Sequence, residues 1–230
     1  MSEFFQLNLF SNNLNEKINF EKIYSKEKYI ITGSNFYQVS YISNIENWKT
    51  DKICMLHGPR FSGKTHLCYM TYQKNIESSF LINKLNMNLI SDYETLNSKN
   101  LIILDDINLF NEEIIFHFFN YIRLYKKFLL ISSETNFLEN IKLQDLKSRI
   151  FSIPSFALNT IDENLLKGII IKILSDDEII LSSNNLNYIC LNLERSFSTI
   201  HNFTIQIKKF ISENSKQINL KIIKKILSQI

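Results

Sequence analysis

Gly58-Pro59-Arg60-Phe61-Ser62-Gly63-Lys64-Thr65 has the phosphate-loop spacing G-x-x-x-x-G-K-T, and it sits between the apolar run 52–57 and a helix-like segment starting at Lys64. This context narrows the fold to one that feeds a strand into the loop and takes a helix out of it. The reason is chemical. Successive backbone N–H groups must curl around a phosphate at the positive end of the helix that follows, with glycine where a Cβ would obstruct. Gly58, Pro59, Ser62 and Gly63 form the expected cradle, Lys64 reaches the terminal phosphates, and the Thr65 hydroxyl ligates Mg²⁺. The ligand is ADP or ATP, and the loop alone does not choose between them.

The remaining pattern agrees with an α/β fold. Residues 52–57, 79–83, 100–104, 127–132 and 150–153 are predicted strands, being short, apolar and bounded by polar stretches. Residues 64–76, 91–97 and 111–126 carry helical periodicity between them, and the alternation predicts a three-layer αβα sandwich around a parallel sheet. From Asp162 onward only helical patterns follow, over 162–175, 183–193, 195–213 and 219–229, the last opening at Asn219 as N-cap. The expected organisation is an N-terminal arm over 1–20, a nucleotide-binding α/β domain over 21–158 and a helical lid subdomain over 159–230.

Composition bounds the partners. A formal charge of +3 is too small to announce a nucleic-acid ligand, so any DNA contact is expected to be indirect or weak. Cys54, Cys68 and Cys190 are widely spaced and odd in number, which predicts buried free thiols in a reducing compartment. The start Met1-Ser2-Glu3-Phe4-Phe5 has no basic leader region and no apolar run approaches the ~18 residues of a membrane span. The expectation is a soluble cytoplasmic protein with no membrane partner.

Further residues gather around the phosphate. Leu101-Ile102-Ile103-Leu104-Asp105-Asp106 reads as a Walker B strand, with Asp105 placed to hold Mg²⁺ and Asp106 to polarise an attacking water. The run 128–134 ends in polar residues where a γ-phosphate sensor would sit, and Ser133, Glu134 and Asn136 are the candidates. Only four of the 26 Lys+Arg are arginine, at positions 60, 123, 149 and 195, so a retained arginine suggests a place where a planar, bidentate fork is needed. Arg149, read as lying just before the last strand, is placed to act as an arginine finger on a neighbouring subunit's γ-phosphate, and Arg195 to reach from the lid toward the phosphates.

Phosphate loop, Asp-Asp strand, pre-strand Arg and lid Arg, in that order, resemble an AAA+ ATPase. Gly63-Lys64-Thr65-His66-Leu67 and Asp145-Leu146-Lys147-Ser148-Arg149 are similar to the DnaA replication-initiator branch, and Tyr29-Ile30-Ile31 with Ser34-Asn35 looks like that family's adenine-pocket segment. The resemblance implies that Tyr29, Ile30, Ile31 and His66 bind nucleotide. It covers nearly all of residues 20–230. No helix-turn-helix module follows the lid before Ile230, and the arm carries Gln6-Leu7-Asn8-Leu9-Phe10, similar to the Q-L-x-L-F clamp-binding peptide. Both features resemble the Hda-type proteins, DnaA homologues reduced to an AAA+ module.

That resemblance implies docking of Gln6, Leu7, Leu9 and Phe10 on the DNA polymerase III sliding clamp, the β subunit, and stimulation of ATP hydrolysis by the initiator DnaA. It also implies a resident ADP with weak or no intrinsic turnover. Glu134 is longer than the polar residue common at its place in the family, and Arg60 and Phe61 are bulky for the middle of the loop. The alternative is an ATPase motor of the helicase- or transposase-loader type, which would use Asp106 and Arg149 within a homo-oligomer. The arm peptide and the weak net charge favour the regulator.

Overall fold

The computed structural model describes residues 24, 26–48, 52–84, 87–214 and 218–230; the arm with Gln6, Leu7, Leu9 and Phe10 lies outside them. After α1 (Phe36–Ile42), five strands, β1 (Ile53–His57), β2 (Ser79–Ile82), β3 (Leu101–Leu104), β4 (Phe128–Ser133) and β5 (Ser155–Ala157), form one parallel sheet in the order β2-β3-β4-β1-β5. Parallel strands need crossover connections, and helices supply them. The crossovers contain α2 (Lys64–Lys74), α3 (Tyr93–Ser98), α4 (Glu112–Leu124), α5 (Thr135–Asn140) and α6 (Gln144–Phe151).

Both faces of the sheet are buried, which is why its strands read as continuous apolar runs rather than as alternation. On one face Ile53, Met55, Ile102, Leu104, Leu129 and Ile131 pack under α4 residues such as Phe118, Phe119 and Ile122. On the other, Cys54, Leu56, Leu101, Ile103 and Leu130 pack against Leu67 and Cys68 of α2 and Val39 and Ile42 of α1. Helix α4 opens at Asn111, whose side chain accepts from the Glu113 N–H.

The expected strand at 150–153 is corrected. Ile150 lies on α6, one turn after Leu146, and both are buried at helical spacing. The strand begins only after Pro154, whose carbonyl accepts from the Met55 N–H, and Ser155 then pairs with Met55. A proline costs nothing there, because a residue that opens an edge strand need not donate inward.

Beyond β5, four helices form a second cluster: α7 (Glu163–Ser175), α8 (Ser183–Asn192), α9 (Phe197–Asn214) and α10 (Leu220–Leu227). Their core holds Leu166, Ile170, Leu174, Ile189, Ile200, Phe203 and Ile223. Leu158 still packs beneath the sheet, whereas Ile161 already belongs to the lid. Asp162 ties the two together: its Oδ1 caps α7 by accepting from the Leu165 N–H at 2.7 Å, and its Oδ2 accepts from the Ser34 N–H at 3.0 Å. Among the described residues no helix is long and apolar enough to cross a membrane.

Candidate nucleotide site

The carboxyl ends of β1, β3 and β4 converge on one edge of the sheet, the edge where open α/β sheets bind ligands. The loop leaving β1 is built for close approach. A Cβ on Gly58 would lie 2.6 Å from the Leu158 carbonyl oxygen and 2.9 Å from Ser62 Oγ, so only glycine fits. Gly63 caps α2 with φ +92°, in the left-handed region that glycine enters freely. Lys64 opens α2, and its Nζ donates to the carbonyls of Gly58 at 2.9 Å and Pro59 at 2.8 Å. Burial pulls the Lys64 pKa down, while the carboxylates of Glu134, Asp105 and Asp106 act in the opposite sense. Among the described residues Ser62 Oγ, which is buried, has no hydrogen-bond partner.

Asp105 follows β3 and is buried. Burial is the main cause of its raised pKa, opposed by hydrogen bonds from Ser132 and Thr65. Ser132 on β4 serves both members of the Asp-Asp pair: its Oγ donates to Asp105 Oδ1 at 2.5 Å and accepts from the Asp106 N–H at 2.8 Å. Asp106 sits at φ 65° and ψ 75°, a left-handed conformation that costs about 1–3 kcal/mol in a non-glycine residue, and its carboxylate accepts from Asn108 Nδ2. Of the sensor candidates, Ser133 donates to the Glu134 carbonyl at 2.9 Å, Glu134 pairs with Arg60 at 3.4 Å, and the Asn136 side chain lies outside the described residues.

Two connected chambers lie between the sheet edge and the lid. The larger, about 500 Å³, is lined by Arg60, Lys64, Thr65, Asp105, Asp106 and Glu134 from the base and by Lys172, Ile173 and His201 from the lid. The smaller, about 140 Å³, is lined by Tyr29, Ile30, Leu165, Ile169 and Phe197, and it shares Phe61, Gly63, His66, Lys172 and Ile173 with the first. One chamber is charged and the other largely apolar, which suits a polyphosphate and a planar base respectively. His66 lies edge-on to Tyr29 with ring centroids 4.9 Å apart, and Asn35 Nδ2 holds the Ile30 carbonyl at 2.9 Å.

The residues fit a magnesium nucleotide. The loop offers a cradle that a Cβ would fill, and Thr65 and Asp105 are already hydrogen-bonded to each other. Among the described residues there is no cluster of three or more His, Cys, Asp and Glu able to hold a metal ion. Mg²⁺ needs none, since it takes one or two protein oxygens and completes its shell with phosphates and water.

Of the described sequence candidates, Gly58, Pro59 and Ser133 border the site without lining either chamber, and Ile31, Arg149 and Arg195 also line neither. Ile31 is exposed and lines neither. Arg195, in the turn before α9, is exposed and lines neither; its charge acts on Glu163 and Cys190. Arg149 lies on the last turn of α6 rather than immediately before a strand, with its guanidinium 4.3 Å from the Phe116 ring centroid and Nη1 donating to Asn120 Oδ1. Conversely, Ser132, Lys172, Ile173 and His201 escaped the sequence reading. The trace of Lys172 and Ile173 in the sequence is that Leu165, Ile169, Lys172 and Ile173 repeat at helical spacing on α7, a stripe whose Leu165 and Ile169 also join the lid core.

A phosphate loop, an Asp-Asp strand and a helical lid on a five-stranded parallel sheet define the AAA+ P-loop αβα fold. The solved structures it matches are of that kind. Domain III of the replication initiator DnaA from Thermotoga maritima matches with a TM-score of 0.69 at 18% identity, over 90% of this chain and 96% of that one. AMPPCP-bound DnaA from Aquifex aeolicus matches with a TM-score of 0.60 at 19% identity, over 84% and 65%. The RuvB Holliday junction branch migration motor of Thermotoga maritima matches with a TM-score of 0.62 at 15% identity, over 91% and 72%. At such identities the likeness is one of fold, and that fold is DnaA-like AAA+. No family model and no curated protein matches the chain.

Proposed function

We propose that this chain is a nucleotide-bound AAA+ regulator of replication initiation that docks on the DNA sliding clamp and stimulates ATP hydrolysis by DnaA. In this reading Gly58–Thr65, Asp105 and the lid hold ADP or ATP with Mg²⁺ as a resident cofactor; the matching Aquifex aeolicus DnaA holds AMPPCP. The observation that carries the trans role is the placement of Arg149. It lines neither chamber of its own chain and is held on α6 by Phe116 and Asn120, which supports a role outside its own site.

The chemistry then falls to the partner's ATP. A guanidinium fork supplied in trans stabilises the charge on the transferring phosphoryl group, worth roughly 10³–10⁵ in rate for arginine fingers. Arg149→Lys keeps the charge and loses the fork. The test is reconstitution with clamp loaded on DNA and DnaA-ATP, following conversion to DnaA-ADP. The variant should bind clamp and nucleotide normally yet fail to stimulate conversion; a wild-type rate refutes the finger. Truncating Leu9 and Phe10 to Ala should abolish clamp binding by surface plasmon resonance, because a few buried anchors carry such a peptide interface.

The fold likeness to a branch migration motor keeps one second reading in play, a self-sufficient ATPase in which Arg149 serves a second copy of this chain. Under that reading Arg149→Lys removes the protein's own ATPase activity and leaves DnaA untouched.

A further inference from the structure

Phe61 stands in the middle of the phosphate loop at φ 67°, a left-handed conformation that side-chain-bearing residues adopt rarely. Its ring lines both chambers at the place where they join. It also stacks on His201 of α9, with centroids 3.8 Å apart and planes 21° from parallel. The preceding residue, Arg60, binds the other way, to Glu134 beyond the end of β4. Consecutive residues of the loop thus tie its tip to the lid on one side and to the sheet on the other.

The position of this tie along the lid gives it meaning. Helix α7 starts at the chain crossing, where Asp162 bonds the Ser34 N–H and Leu165 lines the base chamber beside Ile30. About two turns later Lys172 and Ile173 reach the phosphate chamber. Near its start α7 is held by covalent connection and by the Asp162 carboxylate, which accepts from the Ser34 N–H. At the phosphate end, the Phe61–His201 stack spans loop and lid. The Arg60–Glu134 pair is largely exposed and contributes little.

We propose that Phe61 and His201 form a clasp across the nucleotide site, which must part for nucleotide to enter or leave and therefore sets how long it stays. The inference rests on the nucleotide-binding reading of the same site. Both are positioning residues: the clasp acts on lid closure, and nothing in it requires His201 to carry charge. Losing the stack should speed release about 2- to 12-fold, the range that aromatic pairs contribute.

The test is stopped-flow release of a fluorescent N-methylanthraniloyl-ADP, chased by excess ADP, from the wild type, Phe61→Leu, His201→Ala, the double variant and His201→Phe. Phe61→Leu keeps a side chain at the same backbone angle, so it removes the stacking face without relaxing the loop. Each of Phe61→Leu and His201→Ala should release nucleotide about 2- to 12-fold faster, and the double variant no faster than the quicker single. His201→Phe, which restores a flat ring without the imidazole, should release at nearly the wild-type rate. Unchanged release in both singles, multiplicative effects in the double, or fast release from His201→Phe overturns the clasp while the nucleotide site stands. Absence of any Lys64-dependent binding by the wild type overturns the site itself, and the clasp with it.

Discussion

Gly168 sits in the middle of α7, where glycine is a poor helix former, and the structure explains why it is there. An added Cβ would meet Ile30 Cγ2 at 3.0 Å and Cδ1 at 3.2 Å. Ile30 lines the smaller chamber, so the glycine lets the lid helix lie directly on the segment that walls it. Two effects oppose each other in Gly168→Ala. Replacing a helix-interior glycine gains about 1 kcal/mol of helix propensity. Forcing an extra methyl into a filled contact costs about 1–3 kcal/mol. The net change is then between zero and about 2 kcal/mol of destabilisation, which in a chain this size lowers Tm by at most about 8 °C. Ile30 must give way into the chamber, so ADP affinity should fall several-fold even where Tm hardly moves. Differential scanning calorimetry and isothermal titration with ADP measure both. In an Ile30→Ala background the clash disappears, and Gly168→Ala should raise Tm by about 2–4 °C. A rise of that size in the otherwise wild-type protein, with ADP affinity unchanged, would refute the close-approach account.

Lys64→Ala removes a cation from a site for a polyanion, and the loss of one or more charge-assisted hydrogen bonds should weaken ADP about 10- to 150-fold by calorimetry; undiminished affinity counts against the site. Asp105→Asn keeps a partner for Ser132 but removes a carboxyl group whose ionised form burial disfavours. It should raise the Tm of the nucleotide-free protein at neutral pH and abolish the Mg²⁺-dependence of nucleotide affinity, and a lowered Tm contradicts this. His57 and His201 are held below the ordinary imidazole value, in each case chiefly by burial, with Lys64 and Lys208 respectively adding to it. The folded protein thus takes up these protons less readily than the unfolded chain, so this contribution to stability is complete above pH ~6.5 and is lost as pH falls through the lowered folded values. Thermal melts from pH 7.5 to 5.5 should show a fall in Tm that is smaller in His57→Gln/His201→Gln.

Which parts of this molecule were legible follows from how local their causes are. The phosphate loop was readable because its spacing, its glycines and its flanking strand and helix lie within a dozen residues. Strands β1 to β4 were readable because each is covered on both faces and so must be apolar throughout. Strand β5 was not. Its three residues, Ser155-Phe156-Ala157, contain one large apolar side chain, while Ile150 and Ile153 just upstream imitate a strand from the end of a helix. The lid's contribution failed for a different reason. Which residues of α7 fill the lid core and which line the chambers depends on neighbours more than 100 residues away in sequence, such as Ile30 and Phe61. Periodicity reports that a face is apolar, not what covers it. Arg195 stands out by scarcity and by its place near a helix start, but the side chains of α9 that line the chambers are Phe197 in the smaller and His201 in the larger, the latter on the helix's second turn, where nothing in the sequence marks it.

The electrostatics of the larger chamber give these placements a common logic. Arg60, Lys64 and Lys172 face Asp105, Asp106 and Glu134, so the chamber carries as many carboxylates as cations. Arg60 and Glu134 neutralise each other at the rim, leaving the two lysines against the adjacent aspartates. Such a chamber does not attract a nucleotide by bulk charge. In the proposed reading its affinity would rest on donors aimed at particular oxygens, the loop N–H groups and the Lys64 ammonium, with Thr65 and Asp105 as the residues that would hold Mg²⁺. Cation and nucleotide should therefore bind as one unit. With no strong field to draw a nucleotide in, retention in this reading would fall to the contact between loop and lid, where the unusual residues lie: a bulky ring in the loop, a glycine against Ile30 and an imidazole at the joint.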